Sequence, residues 1–414
     1  MKLALALSFF LFLFLCRLTW MPLQQLAAAD RISDQSHSPV LGSSSSAQRK
    51  DAPLWVKMAD TALALWNSSG PGKIWNYERG TLLYGIQRMW VATSDVKYFQ
   101  FLQNRTDDFL TDNGSIPTYK PQDYTLDSIR SGVNLLFLYK YTQMEKYRIA
   151  ATLLREQLRS QPRTHQGGYW HKLIYPWQMW LDGLFMAEPF RAEYALLFNE
   201  TYDELNDIAM QFIWMEENSR DNKTGLLYHG WDESRLQAWA NPITGTSSVF
   251  WGRALGWYAM ALVDVLDFFP LDHPKRDDLV HILQRLALAV AKVQDPDSTV
   301  WWQVLDQGGR QGNYLESSVS CMFVYALAKG VHKGYLLPHY LVIARIGYEG
   351  IKAQFIQLGL DGGVSLTHTV ATGGLGGTPY RNGTYEYYIS EKVVTNDPKG
   401  IGPFLLASLE LWAR

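Results

Sequence analysis

The sequence predicts an all-α protein built as a closed ring of paired helices, and three observations carry that reading. Roughly twelve stretches repeat apolar residues at the helical period, separated by Gly, Pro and Asn. No two alternating runs joined by a tight turn form a convincing β-hairpin. No consensus recurs at a fixed period, which disfavours an open solenoid and leaves a closed ring.

The folded part starts near Pro53. The first apolar-periodic stretch covers 53–66 and ends ahead of Gly70-Pro71-Gly72, and the next two, 81–92 and 96–110, end ahead of Asn113-Gly114. Stretches at 124–140 and 143–159 precede Gly167-Gly168. They are followed by 174–188, which stops ahead of Pro189, and by 192–216. Then come 248–269, 276–294, 315–331, 337–357 and 400–413. In a ring of this kind the inner helices are apolar nearly all round and the outer ones amphipathic. The long polar-aromatic connections, about 160–173, 217–247, 295–314 and 360–399, wall a bowl at one end. Within the last of them, Gly373-Gly374-Leu375-Gly376-Gly377 lacks a following Lys-Ser/Thr and a preceding strand, so it reads as a hinge-like loop and not a phosphate loop.

With 414 residues, 47% hydrophobic and 19% charged, the chain has ample material for a core and is not disordered. A formal net charge of −2 provides no basic surplus for phosphates, which argues against a nucleic-acid partner. The 16 Trp and 23 Tyr suit stacking on sugars. At the amino end, Lys2 precedes the apolar run Leu3 to Cys16, and Ala27-Ala28-Ala29 follows, which is the layout of a secretory signal over residues 1–29. The run is too short for the ~20 residues that span a bilayer, so a membrane anchor is disfavoured and no membrane association is expected once the signal is removed. Cleavage after Ala29 removes Lys2 and Arg17 and no acid, which takes the formal charge to −4. A Ser-rich leader over 30–51 and one domain over 52–414 complete the organisation. Asn67, Asn104, Asn113, Asn199, Asn222 and Asn382 stand in N-x-S/T sequons, which favours secretion through a glycosylating pathway and an extracellular address. With Cys16 in the signal, Cys321 has no disulfide partner and reads as a packing residue.

The densest cluster of chemistry-bearing residues is Gly168-Tyr169-Trp170-His171-Lys172 with Tyr175-Pro176-Trp177-Gln178-Met179-Trp180-Leu181-Asp182-Gly183. Asp182 stands among Met179, Trp180, Leu181, Leu184 and Phe185, and desolvation of that kind favours the neutral, proton-donating carboxyl; a helix cap or an Arg partner would account for it equally well. Asp127 is a second carboxylate among apolar neighbours, with helix capping the simpler account. Arg253, two residues from Trp251, offers a two-pronged hold on a substrate carboxylate, although Arg packed on Trp is also ordinary structure. His171 and His229 have no metal-like spacing, so no metal site and no cofactor are expected.

Trp75-Asn76-Tyr77-Glu78-Arg79-Gly80, Leu126-Asp127-Ser128-Ile129, Trp170-His171-Lys172, Tyr175 to Leu184, His229-Gly230-Trp231-Asp232-Glu233-Ser234, Trp239-Ala240-Asn241-Pro242, Phe250-Trp251-Gly252-Arg253, Tyr314-Leu315-Glu316-Ser317-Ser318 and Thr395-Asn396-Asp397-Pro398-Lys399-Gly400 follow in order along nearly the whole mature chain. Together they resemble the unsaturated rhamnogalacturonyl hydrolases of glycoside hydrolase family 105. The resemblance implies an (α/α)6 barrel of six helical hairpins with the active site in the bowl. It also implies Asp182 as general acid/base, Asp127 as assisting carboxylate, and Tyr77, His171, Lys172, Trp180, His229, Trp251 and Arg253 lining the sugar site. The implied substrate is an oligosaccharide ending in a 4,5-unsaturated uronate, the product of a polysaccharide lyase. Arg253, Lys172 and His229 would meet its carboxylate, and the rings of Trp180 and Trp251 would stack on the sugar. An unsaturated glucuronyl hydrolase, an inverting glycosidase, a lyase using Tyr77 as base and an inactive carbohydrate-binding protein are the alternatives.

Overall fold

The computed structural model describes residues 52–69, 74–360 and 362–412. The predicted signal and leader, 1–29 and 30–51, lie outside them. Thirteen helices are found among the described residues. They are α1 (Leu54–Ser69), α2 (Tyr77–Thr93), α3 (Val96–Asp107), α4 (Gly132–Thr142), α5 (Glu145–Arg159), α6 (Leu181–Leu197) and α7 (Tyr202–Ser219). The remainder are α8 (Gly252–Val265), α9 (Arg276–Lys292), α10 (Ser317–His332), α11 (His339–Phe355), the short α12 (Tyr385–Ser390) and α13 (Pro398–Trp412).

Packing sorts the long helices into two sets. α2, α4, α6, α8, α10 and α13 pack in succession, and α13 returns to α2, so the inner contacts close on themselves. α1, α3, α5, α7, α9 and α11 each lie against members of that set. Their sequences explain the sorting. Every residue of α8, including Asp264, is buried, whereas α9 buries only Leu279, Ile282, Leu283, Leu286, Ala287, Ala289 and Val290, a single helical stripe. Closure rests on close backbone contact, since a Cβ on Gly402 of α13 would come within 2.6 Å of the Thr81 carbonyl oxygen of α2. Beside it, the buried Lys399 is 2.6 Å from Glu78. No helix among the described residues is long and apolar enough to cross a membrane.

Several predicted boundaries change. The 124–140 stretch is no single helix, because two 3₁₀ turns, Pro121–Asp123 and Leu126–Ser128, precede α4. α6 runs through Pro189 to Leu197, since packing on α4, α7 and α8 outweighs the one backbone bond a proline removes. The predicted 192–216 helix is then broken at 198–201, where Asn199 adopts the left-handed conformation at φ 51°. The expectation of no hairpin is also corrected. β3 (Ile356–Leu358) pairs antiparallel with β4 (Val364–Leu366), and beyond the pair the Gly359 N–H donates to the Gly363 carbonyl at 2.8 Å. Two further short antiparallel pairs, β1 (Gln178–Trp180) with β2 (Gly230–Asp232) and β5 (Thr369–Val370) with β6 (Val393–Val394), tie the long connections together.

Candidate active site

The named residues converge because they sit at the amino ends of the inner helices. Tyr77 opens α2, Asp127 lies in the turn ahead of α4, Asp182 and Arg253 are the second residues of α6 and α8, and Glu316 caps α10. The positive ends of these helix dipoles thus meet around the cluster.

Asp127 does not cap a helix. Its Oδ2 is 2.6 Å from Lys172 Nζ and its Oδ1 is 3.3 Å from His171 Nε2. Burial alone would raise its pKa, but the Lys172 ammonium and His171 outweigh it and hold the carboxyl well below the usual carboxylate range. Lys172 in turn is held above its usual value, the pull of Asp127 outweighing the opposing desolvation. Both residues come from an excursion, 171–178, closed by the His171 N–H donating to the Gln178 carbonyl at 2.9 Å. Tyr77 is pushed well above the usual tyrosine value, first by desolvation and then by Asp127, with Asp182 adding a smaller push and Arg253 opposing. It is a neutral phenol, a hydrogen-bond donor.

The β1–β2 register brings His229 to Asp182. Trp180 pairs with Gly230, and one step further the Leu181 N–H donates to the His229 carbonyl at 3.0 Å. His229 Nε2 then lies 2.9 Å from Asp182 Oδ2, a contact too far off line to count as a formed hydrogen bond, because both atoms are otherwise unpartnered. Asp182 is therefore neither a helix cap nor the partner of an arginine; α6 has no side-chain cap. The other ring nitrogen of His229, Nδ1, is 2.6 Å from the hydroxyl of Tyr388 on α12.

Burial does not fit the stacking role expected of the two tryptophans. Trp180 is 4% exposed, with the rings of His171 and Tyr175 stacked on it at 4.5 and 4.8 Å. Trp251 is 2% exposed, stacked with Tyr388 at 5.4 Å and pressed by Gly373, whose Cβ position is 2.6 Å from the indole. Both indoles are walls that hold other site residues in place. The glycine-rich loop is likewise no hinge. Arg381 donates to the carbonyls of Leu375 and Gly376 and to the Tyr175 hydroxyl at 2.6 Å, which straps the loop over the Trp180 stack.

Arg253 is buried. Its Nη2 donates to the Val370 carbonyl, Glu316 Oε1 is 3.8 Å away, and Nε and Nη1 have no protein partner. Glu316 accepts from the Val370 N–H at 2.9 Å, so the two side chains hold the backbone N–H and carbonyl of the same β5 residue. Such unpartnered guanidinium donors are costly to bury unless a ligand supplies the acceptor. Tyr388, Glu316 and Gln303, which bridges Trp251 Nε1 and the Tyr388 carbonyl, carried no predicted role. Glu316 was legible as part of a quoted motif, whereas Tyr388 lies in an aromatic run, Tyr385 to Tyr388, with no periodic or charge signal. Asp232 and Glu233, by contrast, are structural. Asp232 accepts from the Ser234 and Gln237 N–H groups, and Glu233 from those of His165 and Gln166.

Comparison with known proteins gives this geometry a family. The family model described as Glycosyl Hydrolase Family 88 matches residues 56–414. A solved glycoside hydrolase from family 105 of C. acetobutylicum is 45% identical, with a TM-score of 0.85 over 88% of this chain and 100% of that one. Protein Atu3128 of Agrobacterium fabrum is 38% identical over 54% of this chain and 97% of its own length. The unsaturated rhamnogalacturonyl hydrolase YesR of Bacillus subtilis is 29% identical over 61% of this chain and 70% of its own. The chain belongs to glycoside hydrolase family 105, within the group that the family 88 model describes.

Proposed function

We propose that this hydrolase is a secreted (α/α)6-barrel enzyme that removes a 4,5-unsaturated galacturonyl residue from the non-reducing end of lyase-generated rhamnogalacturonan oligosaccharides. The observation that carries the reading is the division of labour between the two carboxylates. Asp127 is locked as an anion by Lys172 and His171, so it cannot be the proton donor. Asp182 has no Lys or Arg partner among the described residues, only the imidazole of His229 beside its Oδ2, and its Oδ1 has no hydrogen-bond partner among them. A proton on Oδ1 is free to leave toward a substrate.

In the unsaturated sugar the C4=C5 bond is conjugated to the ring oxygen as an enol ether. Asp182 protonates C4, which creates an oxocarbenium ion at C5. Water adds at C5 and returns its proton to Asp182, and the hemiketal opens and releases the rest of the chain. The anomeric carbon is not attacked, so the carboxylate-separation rule for retaining and inverting glycosidases does not apply. Arg253 offers an unpartnered guanidinium donor to the uronate carboxylate, while Asp127 and the neutral phenol of Tyr77 engage hydroxyls or the water. The raised Tyr77 value disfavours a lyase, which needs that phenol ionised as a base. Closure of the inner helices supports the barrel, and exposure of all six sequon asparagines supports secretion and glycosylation.

The test is isotopic. Turnover in D₂O leaves one stereospecifically placed deuterium at C4, and turnover in H₂¹⁸O places the label at C5. Label at the anomeric carbon, or comparable turnover of a saturated uronoside, overturns the reading in favour of a conventional glycosidase.

A further inference from the structure

We infer that Tyr388 is a positioning residue that acts through His229, holding it as the Nε2–H tautomer and so keeping the acid proton of Asp182 on the oxygen that faces the substrate. This rests on the assignment of Asp182 as proton donor.

The argument is a count of donors. Tyr388 is fully buried, and its hydroxyl has one partner, His229 Nδ1, at 2.6 Å. Were Nδ1 protonated, it would donate to the hydroxyl oxygen and leave the tyrosine proton buried with no acceptor, the costlier arrangement. With Tyr388 as donor, Nδ1 accepts and the ring proton of neutral His229 sits on Nε2, 2.9 Å from Asp182 Oδ2. The two tautomers have opposite consequences for the acid. An Nε2–H points a donor at Oδ2 and leaves Oδ1 to carry the acid proton. A bare Nε2 would instead accept that proton from Oδ2, on the buried side of the carboxyl. The present misalignment of Nε2 and Oδ2 is the kind that tightens when substrate fills a site.

The rest of Tyr388 is built to hold this geometry. Its ring stacks on Trp251 at 5.4 Å and its carbonyl accepts from Gln303 Nε2 at 2.9 Å, while the same Gln303 accepts from Trp251 Nε1 at 3.2 Å. The hydroxyl is therefore aimed by Trp251, whose ring also touches that of His229 at 4.8 Å, and by Gln303. Replacement by phenylalanine removes the hydroxyl and keeps the stack.

The experiment uses the full mature enzyme labelled with ¹⁵N in its histidine rings. Wild type is expected to show His229 with a protonated Nε2 and an unprotonated Nδ1 that accepts a hydrogen bond. Tyr388→Phe is expected to mix the tautomers and lower kcat by about tenfold or more on an unsaturated uronate oligosaccharide, with KM little changed. In a His229→Gln background the same substitution should add no further loss, since its effect passes through the imidazole. A protonated Nδ1 in wild type, full kcat in Tyr388→Phe, or additive losses in the double variant overturns the inference. The wild-type ring signature decides the tautomer even if the phenylalanine variant fails to fold. If wild type does not turn over the unsaturated substrate although His229 shows the stated signature, the chemistry assigned to Asp182 is wrong and the tautomer assignment stands.

Discussion

At the residue scale, two side chains carry distinct charges for distinct purposes, and each can be tested alone. Arg253→Ala is expected to raise KM at least about tenfold for a uronate-terminated substrate and far less for its methyl ester, if the proposed role of its unpartnered guanidinium, holding the substrate carboxylate, is right. Equal loss on both substrates would make Arg253 purely structural. Asp127 makes a prediction about pH. Its pKa in the folded enzyme is below the ordinary value of about 3.9, so the carboxylate stabilises the native state above that ordinary value and the benefit fades as pH falls toward the lower one. The stability gap between wild type and Asp127→Asn, measured by denaturant unfolding, should therefore be widest near about pH 7 and close on acidification below about pH 4. A gap that widens in acid contradicts the ion contacts with Lys172 and His171. Asp127, Asp182, His229 and Arg253 were all legible in the sequence as polar residues in apolar or aromatic company. Tyr388 was not, since it meets His229 across 159 positions of chain and only folding brings the two together.

At the element scale, the site depends on how closely α2 meets the segment that carries Asp127. A Cβ on Gly80 of α2 would lie 2.3 Å from Ser131 Oγ and 2.7 Å from its Cα, while that hydroxyl donates to the Asn76 carbonyl at 2.8 Å. Helix propensity favours Ala over Gly by ~1 kcal/mol, but overpacking costs ~1–3 kcal/mol, and here the neighbour is partly backbone and cannot swing away. Gly80→Ala should therefore be destabilising in a denaturant titration and should impair turnover by displacing Tyr77 from Asp127. Stabilisation would mean the helices can part freely. The helical periods were readable because burial on one stripe leaves a pattern in the chain. The β1–β2 pairing was not, because three-residue strands separated by some 50 residues leave no periodic trace, yet their register is what sets His229 beside Asp182.

On the scale of the whole molecule, ring closure and surface chemistry make separate demands. Closure needs the last helix to reach the second one, and Lys399 with Glu78 and Gly402 against Thr81 are where they meet. The outer surface presents Asn67, Asn104, Asn113, Asn199, Asn222 and Asn382, all exposed. Expression in a glycosylating host should yield a secreted protein whose mass falls on treatment with an N-glycosidase, with sites among these six. Intracellular retention with no mass change contradicts the proposed address.

By itself the sequence determined the helical class, the approximate helix count, four of the long connections though not 108–131, which carries Asp127, and most of the polar residues of the site, because each is written locally in periodicity, punctuation or the company a charged residue keeps. Tertiary structure alone decided which way those side chains were used. Trp180 and Trp251 read as sugar platforms and turned out to be covered by Tyr175, His171 and Tyr388, and the run of glycines read as a hinge and turned out to be strapped by Arg381. The physical reason is the same in each case. Whether a ring face or a loop is free depends on what arrives from distant parts of the chain to cover it, and that is settled only when the inner helices close and their amino ends meet.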